Sequence, residues 1–162
     1  MVKNNNNKEK FFDSILSSLP YLDAVIKETL RKYPPVIRLE RRVGEDNLKL
    51  GGIPVDKGVL IEIPTVAVHH NPEYYPDPSR FNPERFLPEN KHLLVPYTYL
   101  TFGQGPRNCV GMRFAYQEIK LCLAKIITFY KFTPTTDTPV KLEFPKLGLV
   151  SVKKFNLKVN KR

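Results

Sequence analysis

Phe102-Gly103-Gln104-Gly105-Pro106-Arg107-Asn108-Cys109-Val110-Gly111 decides the fold, because an amphipathic helical pattern follows it at once. The run sets a cysteine at the end of a glycine-rich turn and at the mouth of a helix. A helix N-terminus carries N–H groups without intrahelical partners and a partial positive charge, and both favour a thiolate over a thiol. The thiolate is the form that ligates soft metals. A turn built on Gly103, Gly105 and Gly111 lets the backbone come close to a flat ligand. Pro106 stiffens that turn, and Arg107 supplies a cation for a carboxylate. The ordinary alternative is a surface loop with a buried free cysteine, the commoner fate of a lone Cys. Only the spacing separates the two.

On the C-terminal side of this turn, Met112, Ala115, Ile119, Cys122, Ile126 and Phe129 recur at three-four spacing, and Pro134 ends the helical region. Cys122 falls on that stripe and reads as a buried structural cysteine. On the N-terminal side, Asn71 to Pro96 carries Pro72, Pro76, Pro78, Pro83, Pro88 and Pro96, which forbids long helices and central strands. Tyr74, Tyr75, Phe81 and Phe86 give this coil aromatic anchors, so an ordered meander is expected. His69-His70 precedes it on a short helix. Adjacent histidines point apart and no third ligand stands at metal spacing, so both, with His92, read as ordinary polar residues.

Further upstream, Leu48 to Val55 reads as a hairpin turning at Gly51-Gly52, and Val59 to Ile63 as a strand closed by Pro64. Val36 to Arg42 is extended. A helix is expected from a Ser18 cap through Pro20 to the stop at Pro34-Pro35, with Leu22, Val25, Ile26, Thr29 and Tyr33 as its apolar stripe. Glu28 and Arg31 lie opposite that stripe. Periodicity alone makes them a solvated pair worth a few tenths of a kcal/mol. The end of the chain reads as strands, Val140 to Phe144 and Val150 to Val159, around Lys146-Leu147-Gly148-Leu149. Residues 1–10, with Asn4 to Asn7 in a run, read as a disordered tail.

The chain has 162 residues, enough for one ordinary domain, and its 41% hydrophobic and 26% charged content is that of a folded protein. Cys109 and Cys122 give no disulfide framework. A formal charge of +10 is high for this size and points to an anionic partner. The basic residues are scattered and no nucleic-acid-reading motif accompanies them, so nucleic acid is the least favoured partner. No apolar run approaches the roughly 20 residues of a membrane span, and residues 1–10 lack the apolar segment of a signal peptide.

Phe102, Gly105, Arg107, Cys109 and Gly111, at their spacing, resemble the haem-binding loop of the cytochrome P-450 family. The Glu28-x-x-Arg31 pair, a helix's length before a proline-rich meander, resembles that family's second signature. The resemblance implies a mainly α fold with small β-sheets, namely the C-terminal part of the family's fold. Its parts would be the Glu-x-x-Arg helix, β hairpins, the meander, the Cys loop, a long helix and a terminal β hairpin. It also implies a role for Cys109 as axial ligand of haem iron, with Arg107 and Arg41 contacting haem propionates. Phe102, Gly103 and Gly111 would pack against the ring. Glu28 and Arg31 would be buried, against the periodicity, in a structural triad completed by Arg85 of Phe81-Asn82-Pro83-Glu84-Arg85-Phe86. Val36, Ile37, Leu39, Leu147, Gly148 and Leu149 would border a substrate pocket.

The resemblance covers the chain from about Phe11 onward as one incomplete haem-binding portion, 11–162, and its details are most similar to the microsomal drug- and steroid-oxidising branch. Nothing in the sequence matches the family's first two-thirds, with its membrane anchor and oxygen-activating helix, so a fragment is expected. The implied activity is a haem-thiolate monooxygenase, using haem b, O2 and NADPH-derived electrons from a flavoprotein reductase or cytochrome b5, on a lipophilic substrate. The implied location is the cytoplasmic face of the endoplasmic reticulum membrane. Two readings compete with it: a haem-thiolate isomerase of the thromboxane synthase type, and a truncated, non-catalytic haem-binding or interaction chain. Lys27, Lys32, Arg113 and Lys120 are the candidates for docking an acidic electron donor.

Overall fold

The computed structural model describes residues 19–139, 142, 152 and 155–162. The 1–10 tail, the Ser18 cap, almost all of the strand expected at 140–144, and the Leu147-Gly148-Leu149 turn lie outside that set. Helix α1, Pro20–Lys32, begins with a proline whose fixed φ suits a first helical turn, and Leu19 precedes it without a side-chain cap. Asp23 in its first turn and Arg31 and Lys32 in its last complement the helix dipole. Its buried residues are Ala24, Ile26, Glu28 and Arg31. The expected stripe is therefore corrected. Thr29 is exposed and returns its hydroxyl to the Val25 carbonyl at 2.8 Å. Neighbours cover the helix on more than one side, so no single apolar face exists to be read.

Strand β1, Leu39–Arg42, pairs antiparallel with β4, Leu60–Ile63, in the register that sets Leu39 opposite Ile63. That register places Glu40 directly opposite Glu62, a repulsive pair. Arg38 answers it, with Nε 2.6 Å from Glu40 and 3.1 Å from Glu62. Between these strands lies the hairpin of β2, Leu48–Leu50, and β3, Ile53–Val55. Gly51 and Gly52 turn it with φ of 56° and 85°, the left-handed pair that a tight hairpin requires.

Short helix α2, Thr65–His69, follows β4 and leads into the meander. There the prolines allow only 3-10 turns, Pro83–Phe86 and Pro88–Leu93, each opened by its proline. Asn82 caps the first by accepting the Glu84 N–H at 3.2 Å. The meander lies against α1 through a core of Ala24, Tyr75 and Phe86, flanked by Tyr74, Leu87, Leu94 and Tyr99. Phe81, expected as an anchor, is exposed instead.

Helix α3, Met112–Phe129, follows the cysteine turn. Met112, Ala115, Ile119 and Ile126 are half-buried, but Cys122 and Phe129 are exposed, so Cys122 is not the buried cysteine its stripe suggested. At 3.6 residues per turn these two fall at the edge of the stripe rather than its middle. The helix stops at Phe129, and Tyr130–Pro134 forms strand β5, paired antiparallel with β6, Leu157–Lys161. The sequence pattern alone does not disclose β5. Its Tyr-Lys-Phe-Thr run favours a strand once a partner is in place.

Ala24 is fully buried between α1 and the meander. Ala24→Leu is expected to lower stability by about 1–3 kcal/mol through overpacking. Tyr21→Ala, on the exposed side of the same helix, should stay within about 0.5 kcal/mol. Denaturant unfolding monitored by circular dichroism compares them.

Candidate functional site

Glu28 and Arg31 lie three apart on α1 and both are 0% exposed. Arg31 Nε donates to one carboxylate oxygen of Glu28 at 2.7 Å and Nη2 to the other at 2.9 Å, a bidentate pair. Two of the three remaining guanidinium hydrogens go to backbone, one from Nη1 to the His69 carbonyl at 2.7 Å and one from Nη2 to the Pro78 carbonyl at 2.8 Å. Glu28 also accepts the Asn82 N–H at 2.9 Å. Arg85 approaches the same carboxylate with Nε at 3.7 Å, outside hydrogen-bond reach, while its Nη2 donates to the Asp77 carbonyl at 3.0 Å. Arg85 Nε is buried without a hydrogen-bond partner. Tyr75 lies under the Arg31 guanidinium, 5.2 Å from ring centre to Cζ.

His69 is not the ordinary polar residue its sequence context suggests. It is 0% exposed, with Nδ1 3.0 Å from the Arg31 carbonyl and Nε2 accepting the Leu100 N–H at 2.8 Å. Tyr99 stacks on its ring at 5.7 Å and Tyr75 meets it edge-on at 6.3 Å. Burial is the main cause that pushes its pKa down to about 4, against the opposing hydrogen bond the ring makes to the Arg31 carbonyl. The only trace in the sequence is Thr65 and His69 four apart on α2, which places both on one face, and both are buried. His70 is half-buried, its Nδ1 2.9 Å from the Val66 carbonyl, and His92 is exposed.

The cysteine turn runs from Leu100 to α3. Gly103 N–H donates to the Leu100 carbonyl at 3.0 Å, and Cys109 N–H closes the loop onto the Phe102 carbonyl at 2.7 Å. Gly105–Arg107 forms a single 3-10 turn. Gly103 sits at φ +73°, and a Cβ there would come within 3.6 Å of the Asn108 backbone and 4.0 Å of Leu39 Cδ1. Strand β1 therefore touches the turn through Leu39. Phe102 is half-buried against Tyr116, ring centres 5.2 Å apart, and Tyr116 shares a 3.0 Å hydroxyl contact with Tyr99. Burial raises the pKa of both tyrosines. Cys109 is exposed, as are Val110 and Phe114 beside it in sequence. A Cβ at Gly111 would lie 3.9 Å from the Cys109 sulfur.

Of the other residues singled out, Arg107 is exposed, and Arg41 is exposed with Nη1 on the Glu40 carbonyl at 2.7 Å. Val36 and Ile37 are exposed apolar residues just before β1. Among the basic candidates, Lys27 and Lys120 both bind Asp23. Partial burial pushes the Asp23 pKa up, but the hydrogen bonds and charges of the two lysines outweigh it and hold the carboxyl below its ordinary value. Lys32 donates to the Ser79 carbonyl at 2.6 Å, and Arg113 is exposed in the first turn of α3. Three of the four thus have internal partners. Among the described residues no helix is long and apolar enough to cross a membrane, and no three His, Cys, Asp or Glu side chains converge on a metal-sized site.

A fold of this order, with a buried Glu-x-x-Arg pair and a glycine turn ending in cysteine, matches one family along nearly its whole length. The cytochrome P-450 family model matches residues 4–159, and the chain belongs to that family. It is 44% identical over 140 residues to rat cytochrome P-450 3A2, covering 86% of this chain and 28% of the relative. Human cytochrome P-450 3A7 is 42% identical over 159 residues, 97% of this chain and 31% of the relative. Goat cytochrome P-450 3A19 is 42% identical over 144 residues, 89% of this chain and 65% of the relative. The chain spans under a third of the length of the rat and human relatives.

Two outcomes are expected from this geometry. Arg31→Ala would strand a buried carboxylate and should cost about 3–5 kcal/mol in denaturant unfolding, against roughly 0–1 for a surface pair. The pH dependence of stability should carry the signature of His69. Its folded pKa lies below the unfolded value near 6.5, so the unfolded chain binds the extra proton between them. Its contribution is full above about 6.5 and is lost as pH falls toward about 4. Unfolding free energies of the protein and of His69→Gln across that window should differ in slope.

Proposed function

We propose that the protein to which this chain belongs is a haem-thiolate monooxygenase, with Cys109 as the protein's ligand to haem iron. The observation that carries the reading is the Cys109 turn, closed on Phe102 and set directly before α3. The residues present suit such a group by their own chemistry. The sulfur is a soft donor beside exposed apolar residues, and the missing Cβ at Gly111 leaves space at the sulfur. Arg107 and Arg41, both exposed, would take the propionates as planar bidentate cations. Phe102, fixed against Tyr116, would pack on the cysteine side of the ring. When bound, haem b would supply activation of O2 for insertion of one oxygen atom, favoured by electron donation from the thiolate.

The chain's own residues divide the remaining work. Cys109 would hold the iron, Gly103 and Gly111 would let the backbone come close to the ring, and Glu28 with Arg31 and Arg85 holds the meander in place. Val36 and Ile37, exposed just before β1, and Leu39, half-buried at its start, would border the site for a lipophilic substrate, with Leu147, Gly148 and Leu149 as further candidates. NADPH-derived electrons would come from a flavoprotein reductase or cytochrome b5 at the cytoplasmic face of the endoplasmic reticulum. Since Lys27, Lys32 and Lys120 carry internal contacts, Arg113 is the best placed of the four cations for an acidic donor.

The test is spectroscopic. Cys109→Ser in the haem-loaded protein should abolish the thiolate-type ferrous–CO absorption, and Cys122→Ser should leave it unchanged. Retention of the band in Cys109→Ser would end the assignment.

A further inference from the structure

We propose that His69 is a positioning residue for Cys109, fixing through Leu100 the backbone from which the cysteine turn is hung. The proposal rests on Cys109 being the iron's ligand. His69 shows no surface, yet both its ring nitrogens are bonded, to the Arg31 carbonyl at 3.0 Å and to the Leu100 N–H at 2.8 Å. A carbonyl needs a donor and an N–H needs an acceptor. Only the ring protonated at Nδ1 and bare at Nε2 meets both demands. Stacking on Tyr99 and the edge contact with Tyr75 leave the ring a single orientation. Its burial-lowered pKa keeps the ring uncharged near neutral pH, as this bonding requires.

The bonds then run on toward the cysteine. The Leu100 carbonyl accepts from Gly103 N–H at 3.0 Å, while the Phe102 carbonyl accepts from Cys109 N–H at 2.7 Å. Phe102 C=O and Gly103 N–H belong to one planar peptide unit. That unit is therefore gripped by Leu100 on one side and by Cys109 on the other. Thr101 adds a second tie to α1 through the Leu30 carbonyl at 3.3 Å. Removing the His69 bond would leave the Leu100 N–H without its acceptor and loosen the residue that orients this peptide. A ligand held by a looser turn binds its metal less well, and outer-shell changes of this kind typically weaken metal sites by about 10–100-fold.

The experiment compares His69→Leu with His69→Gln in the haem-loaded protein, well below the unfolding temperature of each. Leu removes both the donor and the acceptor, whereas the Gln amide offers one of each. His69→Leu should remain loaded but show a smaller share of thiolate-type ferrous–CO absorption, with haem released about tenfold faster or more. His69→Gln should recover most of that share. A folded His69→Leu protein with an unchanged thiolate share would overturn the proposal and leave His69 a purely structural residue. If His69→Leu does not fold, nitrogen NMR of the unaltered protein decides, with His69 assigned by its loss in His69→Gln. Protonated Nδ1, bare Nε2 and a protected Leu100 amide support the clamp, and a proton on Nε2 overturns it. If Cys109 is not the donor, Cys109→Ser keeps whatever thiolate band the unaltered protein has, and the proposal falls with that reading.

Discussion

A fully buried ion pair organises the described part of this protein. Taking Glu28 and Arg31 out of water costs several kcal/mol per ion unless every donor and acceptor is met. Helix α1 can supply only the bidentate contact between the two. The rest must come from elsewhere, and it comes from backbone: the carbonyls of His69 and Pro78 and the N–H of Asn82. The chain is thereby pinned at three points spread over residues 69–82. Proline-rich coil suits this task, because segments without ladders of their own have carbonyls to spare. The meander's irregular path is what satisfies the guanidinium.

The same helix end solves a second problem. The last carbonyls of any helix lack intrahelical partners. In α1 the Arg31 carbonyl is met by His69 and the Leu30 carbonyl by the Thr101 hydroxyl. Both partners lie on segments that bracket the meander, one at its entry and one at the start of the cysteine turn. Capping the helix and placing the turn are thus a single set of bonds. The turn inherits the rigidity of α1, although it touches none of that helix's apolar residues through Cys109 itself.

The sequence disclosed the turns and the order of the elements well, because these depend on local chemistry. Gly51-Gly52, Pro20, Pro34-Pro35 and the meander prolines act within two or three residues of themselves. It disclosed burial poorly. The helical wheel put Glu28 and Arg31 in water and Thr29 inside, because periodicity assumes one apolar core on one side of a helix. Only the resemblance to a known family placed the pair inside. His69 left almost no trace, since its partners are backbone groups of Arg31 and Leu100, and backbone has no letter in a sequence. Cys122 misled for the opposite reason. Its stripe is truly apolar, but Cys122 and Phe129 lie at the exposed edge of that stripe. Strand β5 was hidden because its partner, Leu157–Lys161, lies far along the chain and a strand cannot be read without one.

The balance of the interior explains why such contacts matter. Prolines apart, the fully buried hydrophobic residues among those described are Ala24, Ile26, Val43, Tyr75, Phe86 and Leu100. The buried polar ones are Glu28, Arg31, Thr65, His69, Thr98 and Thr101. The Thr65 hydroxyl has no hydrogen-bond partner, but the other five are tied by directional bonds that stand beside the apolar packing. Hydrophobic packing is forgiving, since a swap of similar volume usually costs under about 1.5 kcal/mol. A buried donor or acceptor is not, because losing its partner incurs its whole desolvation penalty. An interior of this kind therefore admits few alternative packings, and each polar residue in it selects one backbone path over its neighbours. For a turn proposed to present one sulfur at one place, such selectivity is of more use than additional apolar area.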